Sequence, residues 1–364
     1  GSGHVAVGED ALMSMGSGTQ NIAMGQSALR QLTTGNYNIA IGANTLAASA
    51  AFSSNTAVGQ AALNANTAAN NTAIGFNAGL SNTSGTRNVA VGAYTLDGCT
   101  TSSDNTAVGY QALGGACTGV DNAAFGSGAL VVCSTGAENT AIGSGALDAL
   151  TTGNNNTALG RMSGTQLTTG GDNTLLGYYA GQAITTQGAN TIIGKSAGNN
   201  NTASDNTYIG HRCAESATTG TNNVCIGKES SLSVNHGNNQ FVMGNSNTDN
   251  LRCNTQTINS YSDRRDKTDI IDLPIGLDFV NKLRPVKFKW QHREENIQNG
   301  RIDTGFIAQE LQVVQNESNA DYVRSVDEAN PDKLAAAYAK LIPVMVQSIK
   351  ELSAKVEELE SKLN

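Results

Sequence analysis

Charge is scarce in the first two thirds of this sequence. Residues 1–245 contain 6 Lys/Arg and 11 Asp/Glu, whereas the remaining residues contain 16 and 19. All four prolines and the only tryptophan, Trp290, also lie in the second part. So abrupt a change of composition is a better sign of a domain boundary than length is. We therefore predict one domain over residues 1–245, a linker over 246–259 and a second domain over 260–364.

The sequence also lacks the patterns of several functional classes. It has no basic cluster suited to a phosphate backbone and a net charge of -8, so nucleic acid is not expected as a partner. Its apolar stretches are far shorter than the roughly 20 residues of a membrane-spanning helix, so membrane insertion is not expected. It has no P-loop, no G-x-S-x-G and no metal-ligand spacing among its four histidines, so we expect no metal and no cofactor. Gly1-Ser2-Gly3 is typical of a cloning remnant, so we expect the natural N-terminus to lie upstream.

What the sequence has in abundance is a short repeat, with the unit Asn-Thr-Ala-Ile-Gly-x-x-Ala-Leu, as in Asn105 to Leu113. Its glycine recurs every 17 residues, with two intervals of 16, at positions 8, 25, 42, 59, 75, 92, 109, 126, 143, 160, 177, 194, 210, 227 and 244. A helical repeat needs about 33 residues, whereas 17 fit one turn of a narrow coil with two short strands. The 41 glycines also disfavour helices. We predict a mainly β fold, a β-solenoid of 15 turns that is about 65–70 Å long.

The alternation of side chains within the unit suggests how the coil assembles. Asn, Ala and Gly share one face, and Thr and Ile share the other. A coil lined by Ala and Gly encloses little apolar volume, while the second face carries an aliphatic stripe that includes Ile39, Ile41 and Val58. We expect copies of the chain to bury this stripe and predict a homotrimer, although a dimer and an isolated coil remain alternatives. Each Asn four places before the glycine is expected to stack on the Asn of the next turn.

The segments between the motifs vary, and recognition is expected there. Five tyrosines are candidates for stacking on sugar rings, with simple cover of the coil as the alternative: Tyr37, Tyr94, Tyr110, Tyr178 and Tyr179. The predicted partner is a glycan or receptor on a host surface.

The six cysteines do not have the spacing of a disulfide framework. Cys99, Cys117 and Cys133 lie seven or eight residues after successive motif glycines, so we expect them to share one column of the coil. Cys213 and Cys225 replace Ala or Thr of other turns. We predict buried thiols in a protein that folds in a reducing compartment, the host cytoplasm.

The repeat Asn-x-Ala-Ile-Gly-x-x-Ala is similar to the head repeats of trimeric autotransporter adhesins, over roughly residues 4–245. The resemblance implies a left-handed β-roll that forms as a trimer. The unit of 17 residues is longer than the typical one, which implies longer loops.

Three blocks of the second part carry another resemblance. They are Ser262-Asp263-x-Arg265-x-Lys267-x-x-Ile270, Gly276-Leu277-Asp278 with Leu283 to Trp290, and Thr304 to Glu310. In this order they resemble the intramolecular chaperone domain of the S74 peptidase family, which terminates phage tail spikes, endosialidases and neck appendages and occurs in the myelin regulatory factor. The resemblance covers about residues 260–364 and implies a small α+β domain that assists trimerisation and is then cut off.

The resemblance assigns Ser262 as nucleophile and Lys267 as general base. A serine hydroxyl needs such a base, and lysine serves only where its pKa is lowered. The scissile bond is predicted between Tyr261 and Ser262, with cleavage on the other side of Ser262 as the alternative. Asp263 adjoins the pair, and a carboxylate near Lys267 favours the charged form of the amine, so a surface ion pair is the competing interpretation. Asp263 and Glu310 are possible supporting residues.

The end of the sequence predicts a coiled coil over residues 341–364. Apolar residues recur there at alternating steps of three and four, at Ile342, Met345, Ile349, Leu352, Val356, Leu359 and Leu363. Such a helix brings the C-termini of several chains together before the coil folds.

These features together predict a viral fibre or spike, located on the virion surface, that attaches to a host and releases its chaperone by a single self-cleavage. Two alternatives stay open, a polysaccharide-degrading tail-spike enzyme and a bacterial-type trimeric adhesin. Asp97, Asp104, Asp121, Glu138 and Asp148 fall in loops without a paired arrangement, which disfavours the enzyme. An adhesin would end in a membrane anchor instead of the S74-like segment.

Overall fold

A computed structural model describes residues 3–48, 50–248, 262–291, 300–328, 331 and 334–363. The chain divides into two compact units, Gly1–Asn245 and Ser246–Asn364, which are described separately. The predicted linker over 246–259 lies outside the described residues from residue 249 onward.

The first unit is a parallel β-solenoid with one three-residue strand in each turn. Its fifteen strands pair in chain order and in register, so that Ala107 lies beside Ala124 of the next turn. The strands are β1 Val5–Val7, β2 Ile22–Met24, β3 Ile39–Ile41, β4 Thr56–Val58, β5 Thr72–Ile74, β6 Val89–Val91, β7 Thr106–Val108, β8 Ala123–Phe125, β9 Thr140–Ile142, β10 Thr157–Leu159, β11 Thr174–Leu176, β12 Thr191–Ile193, β13 Thr207–Ile209, β14 Val224–Ile226 and β15 Phe241–Met243.

The predicted β-solenoid is thus confirmed, but each described turn contains one strand instead of two. The reason is the backbone after the motif glycine, where left-handed residues such as Gln111 (φ 55°) and Leu113 (φ 49°) bend the chain. An extended strand cannot follow such a path. The turn segments still bond from one turn to the next, as where the Leu113 N–H donates to the Ala129 carbonyl at 2.9 Å.

Each motif glycine is required by its close approach to the next turn. Gly109 has a φ of +131°, and a Cβ placed on it would lie 2.6 Å from the carbonyl oxygen of Gly126. A side chain at this position would strain the backbone of its own turn and collide with the backbone of the next turn. The period of the glycines in the sequence is therefore the period of these contacts.

The predicted stacking of asparagines is present as a buried ladder. The Asn139 N–H donates to the Oδ1 of Asn122 at 3.0 Å, and the Oδ1 of Asn139 accepts from the Asn156 N–H at 3.0 Å. The Nδ2 of Asn139 also donates to the Gly153 carbonyl at 2.9 Å. At the two ends of the coil other side chains take the position. The Nδ1 of His4 accepts from Asn21, and Gln240 donates its N–H to Asn223.

Two columns of side chains fill the coil. One is the middle residue of each strand, such as Ala107, and the other is the leucine of the Ala-Leu pair, such as Leu113, both without solvent exposure. The leucines lie after the strand, so the alternation of side chains along the strand did not include them. The apolar volume inside the coil is therefore larger than Ala and Gly alone imply. The cysteine column is also present: Cys99, Cys117 and Cys133 are free and buried, and the sulfur atoms of the last two lie 3.3 Å apart.

The two columns exchange size in the later turns. The middle strand residue becomes large, as in Leu175, Ile192 and Tyr208, and the leucine position becomes glycine, as in Gly181 and Gly198. A Cβ on Gly198 would lie 2.9 Å from side-chain carbons of both Ile192 and Tyr208. The exchange therefore keeps the interior filled without overlap.

The aliphatic stripe lies on the outer face of the strands. In the single chain its members stay partly open to solvent, with Ile41 38%, Ile74 42% and Ile142 39% exposed. An apolar row along a whole unit is unusual for a surface that faces water.

The second unit packs helices beside two short hairpins. Its elements are α1 Leu277–Lys282, β16 Val286–Lys289, β17 Ile302–Gly305, α2 Ala308–Glu317, β18 Val326–Asp327, β19 Ala335–Ala336 and α3 Ile342–Leu363. Strands β16 and β17 pair antiparallel, as do β18 and β19. The core contains Phe279 from α1, Leu311 and Val314 from α2 and Val344 from α3.

Helix α3 caps the first turn of α1. The Leu277 N–H donates to the Glu351 carboxylate at 2.7 Å, which lowers the pKa of Glu351, with a smaller contribution from Gln347. A Cβ on Gly276 would overlap this carboxylate, so glycine leaves the space for it. No helix in the described ranges is both long and apolar enough to cross a membrane.

Candidate functional site

A short 3-10 turn brings the predicted nucleophile and base together. The turn spans Arg264–Asp266, and Asp263 caps it by accepting the Arg265 N–H at 2.8 Å. The Lys267 N–H then donates to the Arg264 carbonyl at 3.2 Å, which closes the turn. Residues five positions apart in sequence therefore lie on one side of the same turn.

The side chains of Ser262 and Lys267 are in direct contact. The Nζ of Lys267 lies 2.5 Å from the Oγ of Ser262 and 3.4 Å from the Ser262 carbonyl oxygen. This is hydrogen-bonding distance for proton transfer from a hydroxyl to a neutral amine. Both residues are exposed in the single chain. Their catalytic roles remain a prediction.

Asp263 is turned toward Arg265 instead of Lys267. Its carboxylate accepts from the Arg265 Nη2 at 2.6 Å and from the Nε at 3.1 Å. These bonds, followed by the Arg265 N–H, hold the pKa of Asp263 below its ordinary value. Among the described residues, no ion pair joins Lys267 to Asp263 or Asp266. The positive charge of Lys267 makes a smaller contribution to the lowered pKa of Asp263, and the surface ion pair stays the alternative to catalysis.

Sequence reasoning allowed a turn or a bent strand between Ser262 and Lys267 but did not assign Asp263 the role of a cap. The signal was present, since an aspartate before a short polar segment is a common N-cap. Asp263 caps the turn that lies between Ser262 and Lys267, and its supporting role in catalysis stays a prediction. Tyr261, on the other side of the predicted scissile bond, lies outside the described residues.

Glu310 is held elsewhere in the unit. Its Oε2 accepts from the Nε of Arg284 at 2.9 Å, and its Oε1 accepts from the Nη2. The guanidinium lowers the pKa of Glu310. The described residues show no hydrogen bond from Glu310 to Ser262 or Lys267, so the contact links α2 to the segment after α1. A supporting role for Glu310 in catalysis stays a prediction.

The seven apolar residues of the predicted coiled coil share the open side of α3. Ile342, Met345, Ile349, Leu352, Val356, Leu359 and Leu363 are each at least 46% exposed. Val344 and Ser348 instead face the unit and are buried. We call these seven residues the helix stripe.

Four of the candidate tyrosines take part in aromatic contacts on the solenoid surface. Phe76, which sequence reasoning had not selected, meets Tyr94 edge to face at 5.3 Å, and Tyr94 meets Tyr110 in the same way at 6.0 Å. Tyr178 and Tyr179 contact each other at 4.1 Å. Tyr37 is 60% exposed. Phe76 and Tyr110 are also exposed, whereas Tyr94, Tyr178 and Tyr179 are half-buried. Exposed aromatic rings can stack on apolar faces of a ligand.

The acidic residues of the loops are more ordered than expected. Asp104, Asp121 and Glu138 occupy the same position in three successive turns, directly before the ladder asparagine. Asp104 pairs with Arg87 at 2.6 Å, whereas Asp121 and Glu138 are exposed. In the part of the chain that the structure describes, no group of three or more His, Cys, Asp or Glu side chains could hold a metal ion.

Comparison with known proteins bears on the second unit. Residues 262–319 match the Peptidase_S74 family, described as "Chaperone of endosialidase". The matched segment begins at Ser262 and includes α1, β16, β17 and α2. Neither the curated proteins nor the solved structures that were compared with the chain gave a match.

Residues 262–319 are therefore similar to the Peptidase_S74 family, the chaperone of endosialidase, and they follow a parallel β-solenoid in the chain.

Proposed function

We propose that this chain is the distal part of a viral fibre or spike that attaches to a host, and that its second unit drives trimerisation and is released by self-cleavage at Ser262. The observation that carries the proposal is the 2.5 Å contact between Ser262 and Lys267 at the first residue of the Peptidase_S74 match. A β-solenoid followed by such a segment fits a tail-fibre or spike-like protein.

The proposed reaction is an acyl transfer followed by hydrolysis. Lys267, as the neutral amine, accepts the proton of the Ser262 hydroxyl, and the Oγ attacks the carbonyl carbon of Tyr261. The new C–O bond replaces the C–N bond of the peptide, and Lys267 returns the proton to the freed amino group of Ser262. Water then hydrolyses the ester, so the serine ends as the first residue of the released unit.

Assembly offers a physical reason for the timing of this reaction. A lysine acts as a base only when desolvation or nearby cations disfavour its charge, and Lys267 is exposed in the single chain. Burial of the site between copies of the chain would remove water from the amine. Cleavage would then follow trimerisation, after the second unit has brought the three chains together.

Two apolar surfaces support self-association. The helix stripe and the aliphatic stripe of the solenoid are both open to solvent in the single chain. Three copies of α3 can bury the helix stripe as a short parallel coiled coil, and this raises the local concentration of the solenoid segments. The aromatic residues of the solenoid surface, including Tyr94 and Tyr110, support host attachment.

The test is a time course of freshly expressed protein on a denaturing gel. The unaltered chain should yield a band that lacks residues 262–364, and Ser262→Ala should remain intact. The sequence of the N-terminus of the small fragment identifies the bond, since a fragment that begins with Ser262 supports cleavage after Tyr261. An unaltered chain that stays whole after trimer formation would refute self-cleavage.

A further inference from the structure

A row of cationic and aromatic side chains crosses five consecutive turns near the C-terminal end of the solenoid. Its members each follow a motif glycine directly: Arg161, Tyr178, Lys195, His211 and Lys228. Because the strands β10 to β14 pair in register, these residues lie one turn apart. At the spacing of neighbouring strands the row is about 19 Å long.

Backbone hydrogen bonds fix the row. The N–H of Ser196 donates to the carbonyl of Tyr178 at 2.8 Å, and the N–H of Arg212 donates to that of Lys195 at the same distance. In the following turn the N–H of Glu229 donates to the carbonyl of His211, also at 2.8 Å. The backbone positions of the row therefore lie in one line along the coil.

The coil itself does not require cations at this position. The nine preceding turns have no Lys, Arg or His there and carry instead Glu9, Gln26, Ala43, Gln60, Phe76, Ala93, Tyr110, Ser127 and Ser144. Residues 1–245 contain only 6 Lys/Arg in all, and three of them are in this row. The three Lys/Arg residues of the row stand on alternate turns, about 10 Å apart, and so form a line of evenly spaced positive charges.

The row is only partly neutralised by the chain. Lys195 is exposed and has no ion-pair partner among the described residues, whereas Lys228 lies 3.8 Å from Glu229. The guanidinium of Arg161 stands 5.6 Å from the ring centre of Tyr178 and donates to its hydroxyl at 3.2 Å. Tyr178 is half-buried, with Arg161 over its ring and the Tyr179 ring 4.1 Å away, so part of the ring is open to a ligand beside the cations.

We propose that this row binds a linear acidic polysaccharide, laid along the solenoid, whose carboxylate or sulfate groups meet Arg161, Lys195 and Lys228 while a sugar ring packs on Tyr178. The inference rests on the proposed function, because it names the class of host-surface ligand. A sugar polymer offers both features that the row matches, regularly spaced anions and apolar ring faces. A nucleic acid duplex is wider than one row of side chains.

The experiment measures binding of the purified full chain to heparin and to polygalacturonate by biolayer interferometry, with uncharged dextran as the reference polymer. We expect binding to at least one acidic polymer, weakened by added salt, and none to dextran. Lys195→Glu should weaken binding at least fivefold. Arg30→Glu is the matched control, because Arg30 is exposed, lies outside the row and undergoes the same change of charge. Circular dichroism verifies that both variants are folded.

Several results would overturn the proposal: binding of dextran as tight as that of the acidic polymers, no binding of either acidic polymer, or equal losses in the two variants. Tighter binding of single-stranded DNA than of both polysaccharides would identify the row as a nucleic acid site instead. Trimerisation and self-cleavage are measured on the same preparations. If both proceed without polysaccharide binding, this inference fails and the proposed function stands; if both fail while binding persists, the reverse holds.

Discussion

At the scale of single residues, the geometry of Ser262 and Lys267 depends on Asp263. The aspartate caps the 3-10 turn through the Arg265 N–H and binds the Arg265 guanidinium. Both contacts engage its carboxylate with Arg265, and the charge of Lys267 is a smaller influence on its pKa. A residue that looked like an electrostatic obstacle in the sequence is, in the structure, part of the turn that brings the amine to the hydroxyl.

Replacement of Asp263 tests this positioning role. Asp263→Ala removes the cap and the partner of Arg265, so the turn loosens and we expect self-cleavage to slow at least tenfold. Asp263→Asn keeps an oxygen that can accept the Arg265 N–H and should retain most of the rate. A gel time course gives both rates. Faster cleavage in the alanine variant would show instead that the carboxylate restrains Lys267.

The asparagine ladder makes a second prediction at this scale. Asn139→Ala leaves the Asn156 N–H and the Gly153 carbonyl without their partners inside the coil. An unpaired buried polar group costs about 1–3 kcal/mol, so we expect the free energy of unfolding to fall by about 2–4 kcal/mol. Urea unfolding followed by circular dichroism measures it. Ser144→Ala, an exposed position near by, is the control and should change little.

At the scale of the element, the residues inside each turn of the coil pack against those of the neighbouring turns, so their sizes depend on one another. Gly198 accommodates Ile192 and Tyr208, which replace the alanine of earlier strands. Interiors of this density tolerate neither an added methyl nor a lost one without cost. Most earlier turns combine alanine with leucine, whereas the turns of Leu175 and Ile192 combine a large strand residue with glycine.

Gly198→Ala measures how closely the second version is packed. The new Cβ would lie 2.9 Å from carbons of Ile192 and Tyr208, so we expect a loss of about 1–3 kcal/mol in the free energy of unfolding. Gly145→Ala is the matched control. Its backbone is also left-handed, at φ +65° against +50°, but the nearest atom to the new Cβ is 3.6 Å away.

A double-mutant cycle then assigns the cause. Tyr208→Ala removes one of the two clashing side chains, so Gly198→Ala should cost less in that background than in the unaltered chain. Equal costs in both backgrounds, or an equal loss from Gly145→Ala, would attribute the effect to backbone strain instead of packing.

At the scale of the whole molecule, the exposed helix stripe governs assembly. Ile349→Lys places a charge in the proposed interface between copies of α3, and we expect the trimer to dissociate and self-cleavage to stop. Ala354→Lys adds the same charge on the helix but outside the stripe and should leave both unchanged. Light scattering gives the mass of each variant. A trimeric Ile349→Lys variant would exclude the helix stripe from the interface.

The coil and the helical end could be predicted from the sequence because each rests on one regular period. The glycines that recur every 17 residues predicted the turns of the coil, and the heptad of apolar residues predicted the helix stripe of α3. Features that depend on residues of two or more turns together were not predicted. The alignment of Asp104, Asp121 and Glu138, the row that includes Lys195 and Lys228, and the exchange between Gly198 and Tyr208 appear only when the turns are laid on one another. The partner of Arg265 was missed because a cap is a local contact without a period.

The way in which the turns bond has a mechanical consequence. Strand hydrogen bonds join each turn only to its two neighbours, so a pull along the axis loads one set of bonds at a time. Each turn that yields would release 17 residues, which extend to about 55–60 Å in place of a rise of about 4.8 Å. A single chain would thus lengthen in steps under load, because its turns would unfold one after another instead of all together.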